Sequence, residues 1–396
     1  MVGATKTLKR AGIIAAIIAV AACFAAANAS AAPLLWSLNF ETNSVTTIDT
    51  GSDQKVGISI PTGEKPISIA ITPDGKHAYV ANFVGDSVTV IDTATRKSIV
   101  PAIPLPANAE RIAISPDGKT AYVTVESNEH VFPINTETNE IGSPIAVGPE
   151  ASVVAFTPDG RRAYVGIAPH AVQVIETATG KKVGQPIEVG AFPTAIVFTP
   201  NGETAYVAAG TEVAAISTAL GQRTLGITGP TKVSGIAVDP HGLHLYVSRA
   251  SADSVTAYNI LTNEPIGPPV VLSGEPREIA ITPGGLTAYV AVSGADAVVP
   301  LDISNSNATP KAESPIDMAG SGVGQLVVAP DQSPTAVFTP PSMTVGYSSI
   351  FDGSASSDPD GRIVLWNWTF GEGGLGSGPV VSHSYNAAGT HSVQLS

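Results

Sequence analysis

Apolar and polar positions alternate along most of this chain, and the alternation comes in short runs. Ile67, Ile69 and Ile71 are separated by small or polar residues, the period-two pattern of a half-buried strand. Pro73-Asp74-Gly75 follows. Proline presets φ for a tight turn and glycine accepts a positive φ. His77 to Asn82 then predicts a second strand with a Tyr-Val pair, Ser87 to Thr93 a third rich in β-branched residues, and Ser98 to Leu105 a fourth. A turn rich in Thr, Lys and Gly, ETATGK at 176–181 in one instance, links the third strand to the fourth.

The same unit recurs. The turn returns as Ser115-Pro116-Asp117-Gly118 and Thr157-Pro158-Asp159-Gly160, and in weaker form at 199–202, 239–242 and 282–285. A Tyr-Val pair follows each turn, with Tyr79, Tyr122, Tyr164, Tyr206, Tyr246 and Tyr289 spaced by 43, 42, 42, 40 and 43 residues. A period of about 40–45 residues is that of a four-stranded propeller blade. Two partial copies flank the six whole ones. LLWSLNFETNSVTTIDT at 34–50 aligns with 78–93 and puts Trp36 in the tyrosine position, which supplies strands two to four. Leu326 to Asp331 supplies a strand one and the start of its turn. The chain is therefore expected to be all-β, a seven-bladed β-propeller over 32–332 closed by a split blade. An open β-solenoid would share the period, but the two half-blades complement each other strand for strand. A blade built from both ends adds a ladder of hydrogen bonds across the seam. The repeated Tyr and Val, with Trp36, are expected to fill the wedges between blades.

The pattern S/T-P-D-G-K-x-A-Y-V-A-N…S-V-x-V-I-D resembles the YVTN-type seven-bladed propeller repeats of bacterial and archaeal extracytoplasmic and surface-layer proteins. The resemblance covers about 33–332 and implies a fold more than a function, because propellers host many unrelated activities. Residues 333–396 resemble a PKD domain, a small immunoglobulin-like β-sandwich. The resemblance runs through Phe351-Asp352-Gly353-Ser354, Ser357-Asp358-Pro359-Asp360-Gly361, Trp368-Thr369-Phe370-Gly371-Glu372-Gly373 and His383-Ser384-Tyr385. Thr369 and Glu372 stand where that family usually has aspartates. Trp366, Trp368 and Phe370, at spacing two, are expected on one face of a strand as the core of this domain. Asp358 and Asp360 read as a tight turn; two carboxylates are few for a calcium ion.

Residues 1–31 change the picture of where the chain works. A basic start with Lys6, Lys9 and Arg10, an apolar run from Ala11 to Ala22 and Ala-x-Ala spacings at 27–29 and 29–31 read as a secretory signal peptide. The chain is thus expected outside the cytoplasm: secreted, periplasmic or at the cell surface. The apolar run is short for a membrane span, and no second such segment follows. Cys23, the one cysteine, sits in Val20-Ala21-Ala22-Cys23, which resembles a bacterial lipobox, so a lipid anchor at Cys23 is the alternative to ordinary cleavage. Cleavage at Ala29 or Ala31 leaves no thiol for a disulfide, a thiolate metal site or covalent haem attachment.

Charge excludes one class of partner. The net charge is −13; setting aside Lys6, Lys9 and Arg10 leaves 17 basic against 33 acidic residues, or −16. That field repels nucleic acid and anionic lipid. No Gly-rich phosphate loop, Gly-x-Ser-x-Gly elbow or His-Glu-x-x-His occurs. His241 and His244 lack a third ligand nearby in sequence and read as part of a solvated turn rather than a metal site. No cofactor is expected, although a non-covalent redox cofactor in the channel stays open.

The loops entering strand one of each blade are expected at the mouth of the central channel. Eight residues before each turn proline lie Lys65, Asn108, Glu150, Phe192, Lys232, Glu275 and Gly322. This column varies where the turn and the Tyr-Val pair repeat, which makes it the candidate binding rim; ordinary variation of solvated loops is the plainer account. The expected function is a non-catalytic binding or scaffold protein for a protein or glycan partner at the cell surface, with the PKD-like module as spacer or docking unit. The alternative is a hydrolase resembling seven-bladed lactonases, with its site at the channel and Glu150, Glu275 and Lys232 as its groups.

Overall fold

The structure is a computed structural model, and it describes residues 33–330, 335–339, 341–356, 366–371 and 373–396. Residues 1–31, read above as a signal peptide, lie outside the described residues with Cys23, as do Asp358, Asp360 and Glu372. The described strands divide between two compact units. Residues 32–332 form one, and the C-terminal segment from Ser333 belongs to the other.

In the larger unit the described residues form seven antiparallel sheets of four or five strands. The second blade is typical: Pro66–Ile71, His77–Asn82, Ser87–Asp92 and Lys97–Pro104 pair in chain order. The third to seventh blades follow over 109–146, 153–188, 193–228, 235–271 and 276–317. The first blade is split. Val323–Val328 pairs antiparallel with Leu34–Asn39, setting Trp36 opposite Val327 and Leu35 opposite Val328. Ser44–Asp49 and Gln54–Pro61 complete that sheet. The innermost strand of each blade neighbours that of the next, and the seventh returns to the first, so the ring closes.

Period-two alternation explains the packing. Each sheet has two faces, and each face meets a different neighbour. Ala78 and Val80 join a cluster with Trp36 and Leu38 of the first blade. Tyr79 and Ala81, one residue along, join Ala121, Val123 and Phe132 of the third. Seven such clusters occur among the described residues, one per interface between blades. No single central core is needed; the hydrophobic area is distributed around the ring.

The fourth strand departs from the expected pattern. It is continuous in the first, second and fourth blades, but reduced to two-residue pieces in the third, fifth, sixth and seventh. All three continuous ones already shift register at the same place, for example between Val88 and Val90. In the third and seventh blades Pro133 and Pro300 occupy strand three beside that shift and offer no N–H to the outer strand, so the ladder opens there.

In the smaller unit Ser349–Asp352 pairs with Val380–His383, and Asn367–Phe370 lies between Gly374–Ser377 and Val393–Leu395. Trp368 and Phe370 are buried with Phe351, Tyr385, Val393 and Leu395. Trp366 lies just ahead of the strand and is half-buried against this cluster.

Candidate functional site

The site is built where chain geometry makes it cheap to vary. Each inner strand is entered by a loop at one end and leaves by the Pro-Asp-Gly turn at the other. On the turn side the chemistry repeats: Thr72, Ser115 and Thr157 each donate to the aspartate two residues on, and Thr199 does the same to Asn201, all at 2.6 Å. Hydrogen bonds from Ser115 and from the Lys119 amide hold the Asp117 carboxyl below its usual range.

On the other side lies the varied column. Lys65, with φ of 53°, pairs with Glu41 at 2.8 Å and lies over the Phe40 ring. Asn108 donates to Glu126 at 2.6 Å. Glu150 has a positive φ of 45°. Phe192 is 41% exposed. Gly322 has φ of 68°, and a Cβ there would meet Glu41 at 2.7 Å. Of the column, Lys232 and Glu275 are brought together: both line one pocket of about 360 Å³ with Thr194, Ser234, Ser251 and Arg277. Glu275 accepts from Arg277 Nη2 at 2.8 Å, and Arg277 Nε donates to Ser293 at 2.7 Å.

Three residues further along each inner strand runs a second column: Ser68, Arg111, Val153, Ala195, Gly235, Glu278 and Gln325. Its polar members bridge neighbouring inner strands. Ser68 Oγ accepts the Ile112 N–H at 3.1 Å, and Gln325 Oε1 accepts the Ile69 N–H at 2.8 Å. An inner strand is a sheet edge, and these side chains satisfy donors that the ladder leaves open. Arg111 and Glu278 do more. They come from the third and seventh blades, which are not neighbours, and approach to 3.8 Å. The pair therefore spans the channel. Burial pushes the Glu278 carboxyl up, while Arg111 and Arg277 pull it back. Beside it, burial pushes Glu110 up to about 7; Arg111 opposes this, and Glu126 and Glu150 add to it. Sequence reasoning missed Glu110, Arg111 and Glu278. The signal was there: charged residues in inner strands otherwise made of small and apolar ones.

Two further points concern side chains singled out in the sequence. His244 is no solvated turn residue: it is buried, and its Nδ1 lies 2.6 Å from Asp239, which takes the threonine's place in the sixth blade's turn. His241 in the same turn is exposed. Among the described residues no group of three or more His, Cys, Asp or Glu converges as a metal site. The repeated tyrosines are buried, and two of them carry bonds the pattern did not foretell. Tyr79 donates to the Thr136 carbonyl and to Asn139 in the third blade, and Tyr289 to the Thr50 carbonyl and to Asp53 in the first. Burial, with Asp74 nearby, pushes the Tyr79 hydroxyl up to about 12.

Comparison with known proteins divides the chain in the same way. Residues 331–396 match the PKD domain family. A 73-residue stretch is 37% identical to a microbial collagenase of Vibrio alginolyticus, covering 18% of this chain and only 9% of that protein. The solved structures that resemble it are β-propeller proteins. A hydrazine synthase of Kuenenia stuttgartiensis is similar with a TM-score of 0.61 at 22% identity, over 75% of this chain and 98% of that one. A putative 6-phosphogluconolactonase of Bacteroides fragilis gives 0.61 at 17%, over 75% and 98%. The dihydro-heme d1 dehydrogenase NirN gives 0.55 at 15%, over 74% and 77%. The chain is an all-β protein with a β-propeller fold followed by a PKD domain. At these identities the propeller likeness speaks for the fold alone.

Proposed function

We propose that the protein is a non-catalytic binding protein working outside the cytoplasm, with the propeller as a rigid platform and the PKD domain as spacer or docking unit. The observation that carries this reading is how four polar groups of the mouth and channel are held. Lys65 is engaged by Glu41, Asn108 by Glu126, Arg277 by Glu275 and Arg111 by Glu278. Side chains braced against one another form a pre-organised recognition surface, which binds with little ordering cost. The signal-peptide pattern at 1–31 supports export, and the PKD domain is in keeping with it. The partner in this reading is a protein or glycan on the producing cell's surface. Capture experiments with the purified protein on intact cells and glycan arrays test it; specific, saturable capture supports it, and none on either surface removes it.

A second reading, a lactonase-like hydrolase, is favoured by Glu110. A carboxyl held near 7 beside a channel changes protonation where general acid–base chemistry operates. The putative 6-phosphogluconolactonase shares the fold. Lactone turnover that is lost in Glu110→Gln and in Glu150→Ala/Glu275→Ala would establish this reading over the first; no turnover across a lactone panel would remove it.

A further inference from the structure

The pocket between the sixth and seventh blades has a ligand chemistry of its own, and the inference drawn from it rests on the binding-protein reading above. Its charged lining is Lys232, Arg277 and Glu275, a local excess of one positive charge on a chain of net charge −13. Glu275 is committed to Arg277. Lys232 has no ion pair or hydrogen bond to any described residue and is exposed in the pocket. The guanidinium of Arg277 is fixed by Glu275 on Nη2 and Ser293 on Nε, so its Nη1 is presented without further ordering. Three hydroxyls, with Val233 and Ala250, complete the lining. That of Ser234 accepts the Ala250 N–H at 2.9 Å, which frees its own hydrogen to donate; Thr194 and Ser251 face the same space. Phe192, on the rim loop of the adjacent fifth blade, is an exposed aromatic ring at the same mouth.

We infer that this pocket binds a small acidic sugar: a hydroxyl-rich ring carrying one carboxylate, the carboxylate on Lys232 and the hydroxyls on Thr194, Ser234, Ser251 and Arg277. One uncommitted cation matches a monoanion rather than a phosphate dianion. A lining in which hydroxyl and charged groups outnumber Val233 and Ala250 selects a polyol over a fatty or aromatic acid. A volume of about 360 Å³ takes a single sugar unit or the end of a chain.

The test is calorimetric titration of the purified protein with sodium galacturonate, galactose, acetate and galactose 1-phosphate. Galacturonate is expected to bind saturably, with galactose and acetate weaker by about 10-fold or more, because each lacks one half of the recognition. Lys232→Met is expected to weaken galacturonate by about 10-fold or more. Lys97→Met, on an outer strand away from the pocket, is expected to leave it unchanged. Circular dichroism of both variants checks the fold, and Lys232 is exposed enough that its replacement leaves packing alone. The inference is overturned if galacturonate does not bind, if Lys232→Met binds it as well as wild type, if galactose or acetate matches it, or if the phosphate ester binds tighter. Loss of the sugar interaction alone leaves the broader reading standing wherever the protein still captures a cell-surface partner; loss of both removes that reading as well.

Discussion

The two faces of the ring are built from the same strands and differ in almost everything else. On the turn face, four blades repeat one hydrogen bond at the same 2.6 Å. On the mouth face the rim column carries five different residue types over seven positions, from lysine and glutamate to asparagine, phenylalanine and glycine. A tight turn has one chemical solution that works well, and repeating the unit repeats the solution. A mouth loop has only to connect, so its side chains are free to differ, and a ligand needs them to. Repetition thus marks what the fold requires, and variation marks where function has room.

The largest expected effect tests the repeated class. Trp36→Ala, in the wedge at the split blade, should cost about 3–5 kcal/mol in urea unfolding, the range for truncating a fully buried aromatic. Asn108→Ala on the rim should stay within about 0.5 kcal/mol. A loss below about 1 kcal/mol for Trp36→Ala would mean that the seam does not hold the ring.

The next breaks the simple rule that varied positions are free. Gly235 belongs to the varied inner column, yet a Cβ there would lie 2.1 Å from the Arg277 carbonyl oxygen. Gly235→Ala should destabilise by about 2–3 kcal/mol, because backbone must shift to admit the methyl. A neutral result would mean that the sixth and seventh inner strands part without cost.

The channel pair should be asymmetric. Arg111→Met strands the Glu278 carboxylate and should cost about 1–2 kcal/mol at pH 8, and less as the pH is lowered, because protonation of a carboxyl already pushed up by burial relieves it. Glu278→Gln should cost less at pH 8, because the Arg111 guanidinium it leaves keeps the Ile67 carbonyl and the nearby Glu110 carboxyl as partners. A double variant that costs the sum of the two single ones would show the two groups to be independent.

The smallest effect has the opposite sign. Glu110 titrates near 7 in the folded chain and from a lower value when unfolded. The folded state therefore binds the extra proton between those values, and Glu110 lowers stability as pH rises through that window. Glu110→Gln should match wild type near pH 4 and exceed it at pH 8 by about 1 kcal/mol, after allowance for solvent screening. Parallel pH profiles for the two proteins would remove the shift.

Much of the ring was legible in the sequence because its parts are local. Strand alternation, the Pro-Asp-Gly turns and the Tyr-Val pairs each act within a few residues, and the repeat counts them out. The second strand was read at His77–Asn82, as observed; the outer strand was over-read in four blades, in two of which Pro133 and Pro300 interrupt the ladder from the neighbouring strand. At the mouth, the column of Lys232 and Glu275 followed from counting back from the turns. That those two share a pocket, while Lys65 and Asn108 are taken up by Glu41 and Glu126, did not.

What the sequence determined by itself is the unit and its number of copies, because each blade's turns and alternation are encoded in the residues that form them. Which charges meet was decided by the tertiary structure alone. Arg111 and Glu278 lie far apart in the chain and on blades that do not touch, and only closure of the ring brings them within 3.8 Å. A local pattern cannot express a distance across a channel; that distance is set by how many wedges the ring packs, and at what angle.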